Sequence, residues 1–139
     1  MPDKVLLFRL GTELYGLPVT SVQEVVEPDA IFPIPSAPDI FVGAINCHGT
    51  VVPVIDLAQL LGFEGEKRDA RLVVVDAALA RIGLAVSHLE QIVEPDNEES
   101  VGQNHATDAV CVAEIVEHQG RMIHLLDLPA VFDRLERLI

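Results

Sequence analysis

The stretch Tyr15-Gly-Leu-Pro-Val-Thr-Ser-Val-Gln-Glu-Val-Val-Glu-Pro-Asp29 is the most informative part of the sequence, because the chain contains a second copy of it. Shifted by 67 residues, it lies over Ile82-Gly-Leu-Ala-Val-Ser-His-Leu-Glu-Gln-Ile-Val-Glu-Pro-Asp96, and seven of the fifteen pairs are identical. Downstream, Val54-Ile-Asp-Leu57 resembles Leu125-Leu-Asp-Leu128. Such a repeat indicates two copies of one strand topology, and copies this short cannot each bury enough surface alone. We therefore expect one domain over residues 1-139, made of two interlocked subdomains with repeat units at about 4-61 and 70-132.

Short apolar runs bounded by turn residues surround the repeat, and most of them predict β-strands. Helical spacing is clear only at the C-terminus, where Asp127 is a candidate N-cap and Pro129 follows in the first turn. A shorter helical turn is expected after Asp56. So many strands and so little helix predict an all-β fold of paired small barrels with a shared apolar seam, rather than a parallel α/β sheet. The predicted strands are residues 4-10, 22-26, 42-46, 50-55, 72-76, 81-86, 110-117 and 121-126.

The charge balance argues against several classes of partner. The 139 residues carry a formal net charge of -13, which repels nucleic-acid phosphates and anionic lipid head groups. No apolar run is long enough for a membrane span, so we expect neither nucleic-acid binding nor direct membrane insertion. A basic or neutral protein partner fits this charge better.

The side chains that could carry catalysis have simpler explanations. Asp56 and Asp127 are repeat-related, like the acid/base pair of a two-lobed hydrolase, but each precedes a short helix, so capping explains both. Cys47 and His48 are adjacent, and adjacent side chains in a strand point to opposite faces, which argues against a catalytic pair. The histidines are scattered without a cysteine or carboxylate at ligand spacing, and Cys111 lies far from Cys47. We therefore expect no enzyme activity, no catalytic residues, no cofactor and no metal site.

Several motifs resemble the CheW family of chemotaxis coupling proteins over nearly the full length of the chain. Ile82-Gly-Leu-Ala-Val86 and Leu125-Leu-Asp-Leu128 match in the second half, although Ser87 stands where an Asp is usual. In the first half the matching motifs are Phe8-x-Leu-Gly-x-Glu-x-Tyr-Gly-Leu-Pro-Val19, Val22-x-Glu-Val-Val26, Ile34-Pro35, Gly43-x-Ile-Asn46 and Gly49-x-Val-Val-Pro-Val-Ile-Asp-Leu57.

This resemblance implies two intertwined five-stranded SH3-like barrels and the function of an adaptor. Proteins of this family couple the cytoplasmic helical tip of a methyl-accepting chemoreceptor to the regulatory domain of a CheA-type histidine kinase. The resemblance places the chain in the cytoplasm, recruited to receptor arrays at the inner face of the membrane. Ile31 and Phe32 would form an apolar edge for the kinase domain, although they could also be core residues. The residues implied for receptor binding are Val22, Glu24, Gly43, Asn46, His48 and Gly49.

The turn between the two central apolar strands departs from the family pattern. It reads Asn46-Cys-His-Gly49, whereas the family usually has Asn-Leu-Arg-Gly, with the Arg facing the glutamate that corresponds to Glu24. Histidine offers fewer donors than arginine and titrates near neutrality. We expect Glu24 and His48 to pair, more weakly and in a pH-dependent way. Two other functions stay open: a β-barrel that binds a small ligand, and a hydrolase that uses Asp56 and Asp127.

Overall fold

The computed structural model describes residues 4–65, 67–95 and 111–139. Within these ranges the chain forms ten β-strands, a 3₁₀ turn over Val19–Ser21 and two α-helices. The strands are β1 (Val5–Leu10), β2 (Glu13–Pro18), β3 (Val22–Val26), β4 (Phe41–Cys47), β5 (Thr50–Asp56), β6 (Leu72–Val75), β7 (Gly83–Ala85), β8 (His88–Val93), β9 (Val112–His118) and β10 (Arg121–Leu126), and the helices are α1 (Leu57–Leu60) and α2 (Leu128–Leu138).

Each half of the chain contributes strands to both of the five-stranded sheets. The first sheet has the order β8-β1-β2-β10-β9, and the second has the order β3-β6-β7-β5-β4. Parallel pairing joins the halves, between β2 and β10 in one sheet and between β5 and β7 in the other. The predicted all-β fold with two intertwined five-stranded units is therefore confirmed, whereas the exact limits of the repeat units stay a prediction.

The core explains why β1 and β6 are apolar at nearly every position. In β1, Val5 and Leu7 point into a cluster with residues of β9 and β10, while Leu6, Phe8 and Leu10 point into a larger central cluster. Strand β6 alternates in the same way between the cluster within its own sheet and the central one. A strand buried on both faces has no polar side to show, so it appears as a continuous apolar run. The central cluster is the shared seam that the repeat predicted.

Both helices begin where the sequence predicted. Asp56 accepts a hydrogen bond from the Gln59 backbone N–H at 3.0 Å, and Asp127 accepts one from the Ala130 N–H at 3.2 Å. These bonds satisfy donors that the first helical turn leaves unpaired. Helix α2 buries Leu128, Val131 and Leu135 in the central cluster. Leu138, the last residue of the helix, is 53% exposed.

Two strands of the structure, β2 and β8, were not predicted from the sequence. Strand β2 contains Gly16 and ends at Pro18, and both residue types argue against a strand. Strand β8 lies at a sheet edge and exposes His88 and Gln91, so its apolar signal is weak. In residues 4–65, 67–95 and 111–139, neither helix has the length and apolar character needed to cross a lipid bilayer.

Candidate functional site

A tight hairpin turn presents His48 at the end of the second sheet. Cys47 pairs with Thr50, so only His48 and Gly49 form the loop, with φ angles of 53° and 83°. Two positive φ angles in a two-residue loop are typical of a type I′ turn, which matches the twist of the flanking strands. The Asn46 Oδ1 accepts a hydrogen bond from the Gly49 N–H at 2.9 Å and braces the loop. The turn predicted at residues 46-49 is therefore present.

His48 contacts Glu24 as the sequence predicted. Its Nε2 lies 2.7 Å from the Glu24 Oε2 and 3.1 Å from the Oε1. Because a carboxylate only accepts hydrogen bonds, the Nε2 carries the proton and donates. Strands β3 and β4 are the outermost strands of this sheet, so a contact between Glu24 and the end of the β4–β5 hairpin indicates that the sheet curls into a barrel. The His48 side chain is 73% exposed, so the pair orients two polar groups and contributes at most about 1 kcal/mol to stability.

The other residues implied for receptor binding are not all in this place. Asn46 and Gly49 are exposed beside His48. Val22 is half-buried and packs against the central cluster. Gly43 is buried beneath the neighbouring segment, where a Cβ atom would lie 2.6 Å from the Phe32 carbonyl oxygen and 2.7 Å from the Ile31 Cγ2. The structure therefore brings together Glu24, Asn46, His48 and Gly49, but not Val22 or Gly43.

Ile31 and Phe32 form an exposed edge that is held to β4. The Phe32 N–H donates to the Ala44 carbonyl at 2.8 Å, and the Ala44 N–H donates to the Phe32 carbonyl at 2.7 Å. The side chains remain in solvent, with Ile31 40% and Phe32 58% exposed. The alternative that they are core residues is therefore wrong. Phe32 also lines a shallow depression with Val51, which is 70% exposed, so we call Ile31, Phe32 and Val51 the apolar edge.

The family of the chain follows from its match over residues 4–136 to the CheW-like domain model. The chain belongs to the CheW-like domain family. The chemotaxis protein CheW of Rhizobium meliloti (strain 1021) is 26% identical to this CheW-like domain, over 96% of the chain and 90% of the relative. A probable chemotaxis protein CheW of Rhizobium etli is 30% identical, over 96% and 89%. The crystal structure of the scaffolding protein TtCheW from Thermoanaerobacter tengcongensis superposes with a TM-score of 0.79 and 30% identity, over 95% of this chain and 88% of that one. These similarities support a chemotaxis adaptor or scaffold role.

The two aspartates of the hydrolase alternative have separate tasks in this CheW-like domain. Asp56 ends β5 in the second sheet, caps α1 and also accepts a hydrogen bond from the Arg68 Nη1 at 3.2 Å. Asp127 follows β10 in the first sheet and caps α2. Two carboxylates engaged in this way are structural, and neither the hydrolase nor the ligand-binding alternative is favoured.

The position of the Cys47 side chain relative to His48 differs from the one expected from the sequence. Cys47 is the last residue of β4 and is buried, and burial together with the charge of Glu24 raises the pKa of its thiol. In a regular strand the side chain of Cys47 would point away from that of His48. His48 adopts a left-handed conformation instead, and ligand atoms of Glu24, Cys47 and His48 all lie within 4.8 Å of one another. The Gly49 that follows His48 was the signal for a type I′ turn that could have predicted this cluster.

Proposed function

We propose that this CheW-like domain is a chemotaxis adaptor that couples the cytoplasmic helical tip of a methyl-accepting chemoreceptor to the regulatory domain of a CheA-type histidine kinase. In this role it joins proteins in the cytoplasm, within receptor arrays at the inner face of the membrane, and catalyses no reaction. The observation that carries the proposal is the apolar edge, in which three large hydrophobic side chains are exposed and a backbone bridge to Ala44 fixes Phe32.

The apolar edge has the properties of a small protein-docking surface. Exposed apolar patches on soluble domains often mark interaction sites, and an aromatic side chain near the centre of such a patch is a typical anchor. Phe32 is 58% exposed although its backbone is fixed by two hydrogen bonds to Ala44. A fixed backbone lowers the entropy that is lost on binding. We therefore assign the kinase regulatory domain to Ile31 and Phe32.

The polar surface around the hairpin turn suits the receptor. Four different groups lie next to one another here: the carboxylate of Glu24, the amide of Asn46, the imidazole of His48 and the exposed backbone of Gly49. Complementary polar and charged groups across an interface fix the register of the two partners, and these groups could do so for a receptor helix. The receptor-binding set that the family resemblance implies also contains Val22 and Gly43, and we keep both in it, although Val22 packs against the central cluster and Gly43 supports Ile31 and Phe32.

A binding assay with single substitutions tests the proposal. The protein and the kinase regulatory domain from the same cell are titrated by calorimetry, with the wild type, Ile31→Glu and Phe32→Glu. We expect Phe32→Glu to weaken binding by about 2 kcal/mol or more, roughly 30-fold, because a charge would replace the aromatic anchor. Ile92→Glu is the matched control, because Ile92 is 57% exposed but lies on β8 in the other sheet. Equal losses in Phe32→Glu and Ile92→Glu would rule out the assigned edge.

A second substitution separates the two surfaces. Glu24→Lys reverses a charge beside His48 without touching the apolar edge. We expect this variant to lose affinity for the receptor tip and to keep its affinity for the kinase domain. A variant that loses both partners equally, or the kinase domain alone, would contradict the separate assignment.

A further inference from the structure

Glu24 and His48 of the proposed receptor surface form, together with the buried Cys47, a set of three metal-binding donors, and the adaptor role does not explain the thiol. The set offers a carboxylate oxygen, a thiol sulfur and an imidazole nitrogen, all within 4.8 Å of one another. Oxygen, sulfur and nitrogen from these three residue types are the ligands that zinc takes in proteins, with bonds of about 2.0–2.3 Å. Around a tetrahedral ion with such bonds, neighbouring ligand atoms lie about 3.3–3.8 Å apart. Small side-chain rotations therefore bring the three atoms to zinc-binding distances.

We propose that Glu24, Cys47 and His48 bind one zinc ion. The ligands are a Glu24 carboxylate oxygen, the Cys47 Sγ and the His48 Nε2, and the fourth position is open. On binding, the Zn–S bond forms, the S–H bond breaks and the thiol proton leaves to bulk water. The ring proton moves through water from the His48 Nε2 to its Nδ1, so that the neutral imidazole binds the ion through the lone pair of Nε2. No electron transfer or further reactant is involved.

The hairpin turn prearranges two of the three ligands. Cys47 ends a strand and His48 begins the loop, and the bond between Asn46 and Gly49 holds the loop in place. The third ligand residue, Glu24, lies on β3, and its Oε2 is 2.7 Å from the His48 Nε2. A site that is largely formed before the ion arrives loses little entropy on binding.

The burial of the ligands places the open position on the outside. Cys47 is 8% exposed, whereas the side chains of Glu24 and His48 are 30% and 73% exposed. The ion would therefore bind above a buried sulfur, with its free position facing solvent. A position of this kind accepts water or a histidine, cysteine or carboxylate of a partner.

One nearby charge opposes the ion and shapes the experiment. Arg81 lines the same small cavity as Cys47 and His48. Its positive charge lowers the attraction for a cation, so the titration should extend from nanomolar to high micromolar zinc. The site does not depend on the adaptor role, because it needs no partner to form.

Cobalt spectroscopy and a zinc competition assay test the site in the full chain. Tetrahedral cobalt bound through a cysteine gives a thiolate-to-cobalt absorption in the near ultraviolet and strong visible bands, which zinc then abolishes. We expect one ion per chain and both signals in the wild type. The test variants are Cys47→Ser, Glu24→Gln and His48→Gln, and the controls are Cys111→Ser and His88→Gln, with folding of each checked by circular dichroism.

The variants decide the outcome. Loss of a residue that only supports a metal ligand typically weakens metal binding by about 10- to 100-fold. We expect each test variant, which removes a ligand itself, to weaken zinc binding by more than this. We also expect Cys47→Ser to lose the ultraviolet band. Both controls should bind as the wild type does. The proposal fails if the wild type binds no ion at a large molar excess, or if the folded Glu24→Gln and His48→Gln variants bind as tightly as the wild type. Because Glu24 and His48 are surface residues, their variants remain informative even if Cys47→Ser unfolds.

Discussion

Replacing Gly43 by alanine should loosen the apolar edge from the sheet beneath it. The added Cβ would lie 2.6 Å from the Phe32 carbonyl oxygen and 2.7 Å from the Ile31 Cγ2. A Cβ cannot approach a backbone oxygen so closely, so the segment that carries both residues must move away from β4. This movement breaks or stretches the two hydrogen bonds between Phe32 and Ala44.

The size of the effect follows from the contacts that are lost. Each backbone hydrogen bond contributes about 0.5–1.5 kcal/mol net, and overpacking costs about 1–3 kcal/mol where the structure cannot relax. Because the segment lies at the surface and can move, we expect a total loss of about 2–4 kcal/mol in the free energy of unfolding. For a domain of this length that corresponds to a fall of about 7–14 °C in melting temperature.

Urea unfolding followed by circular dichroism measures the loss. Gly62→Ala is the control for backbone strain, because Gly43 and Gly62 both have a positive φ, of 151° and 97°. Apart from its chain neighbours, no atom lies within 4 Å of a Cβ added to Gly62. Gly43→Ala should also bind the kinase regulatory domain more weakly, since the edge is no longer held in one position. If Gly43→Ala unfolds within about 0.5 kcal/mol of the wild type, the bridge between the edge and the sheet is not what fixes Phe32.

Two further predictions concern the framework that supports the surfaces. Asp69 accepts a hydrogen bond from the Leu89 N–H at 2.7 Å and others from the Arg71 side chain. The hydrogen bond from Arg71 is the main cause that holds the pKa of Asp69 well below its usual range. Because the pKa is lowered in the folded state, the stabilisation is complete above the ordinary pKa of an aspartate and is lost as the pH falls through the lowered value. Asp69→Asn should therefore cost about 1–3 kcal/mol at pH 7 in urea unfolding, and the difference from the wild type should shrink below about pH 4. A constant difference at all pH values would contradict this explanation. Asp127→Ala should cost about 1 kcal/mol, because the Ala130 N–H loses its acceptor, and an unchanged stability by thermal denaturation would refute the capping role.

The repeat carried most of the fold prediction because it fixes topology as well as local structure. Strands β1 and β6 have apolar residues at successive positions, and these side chains are all buried only if both faces of each strand are covered. The capping role of the aspartates before α1 and α2 could also be predicted, because a cap accepts a hydrogen bond from a backbone N–H only three residues away. Strand β8 was missed because an edge strand with exposed polar residues has little apolar signal.

The site was predictable only where its contacts are local or follow the family pattern. The pairing of Glu24 with His48 was expected from the residue that His48 replaces, and the 2.7 Å contact confirms it. The proximity of Cys47 was not expected, because it depends on the left-handed backbone of His48. The tasks of Gly43 and Phe32 depend on a contact between segments that are distant in sequence, and an apolar residue alone does not reveal whether it faces core or solvent.

The kinase-binding surface can be mapped residue by residue by NMR. The backbone amide signals of the labelled protein are followed while the unlabelled regulatory domain of the kinase is added. We predict that the largest changes fall on Phe32, Ala44 and Val51, with little change along β8 and β9. Changes confined to β8 and β9, with Phe32 unaffected at saturation, would contradict the proposal that this edge joins the adaptor to the kinase.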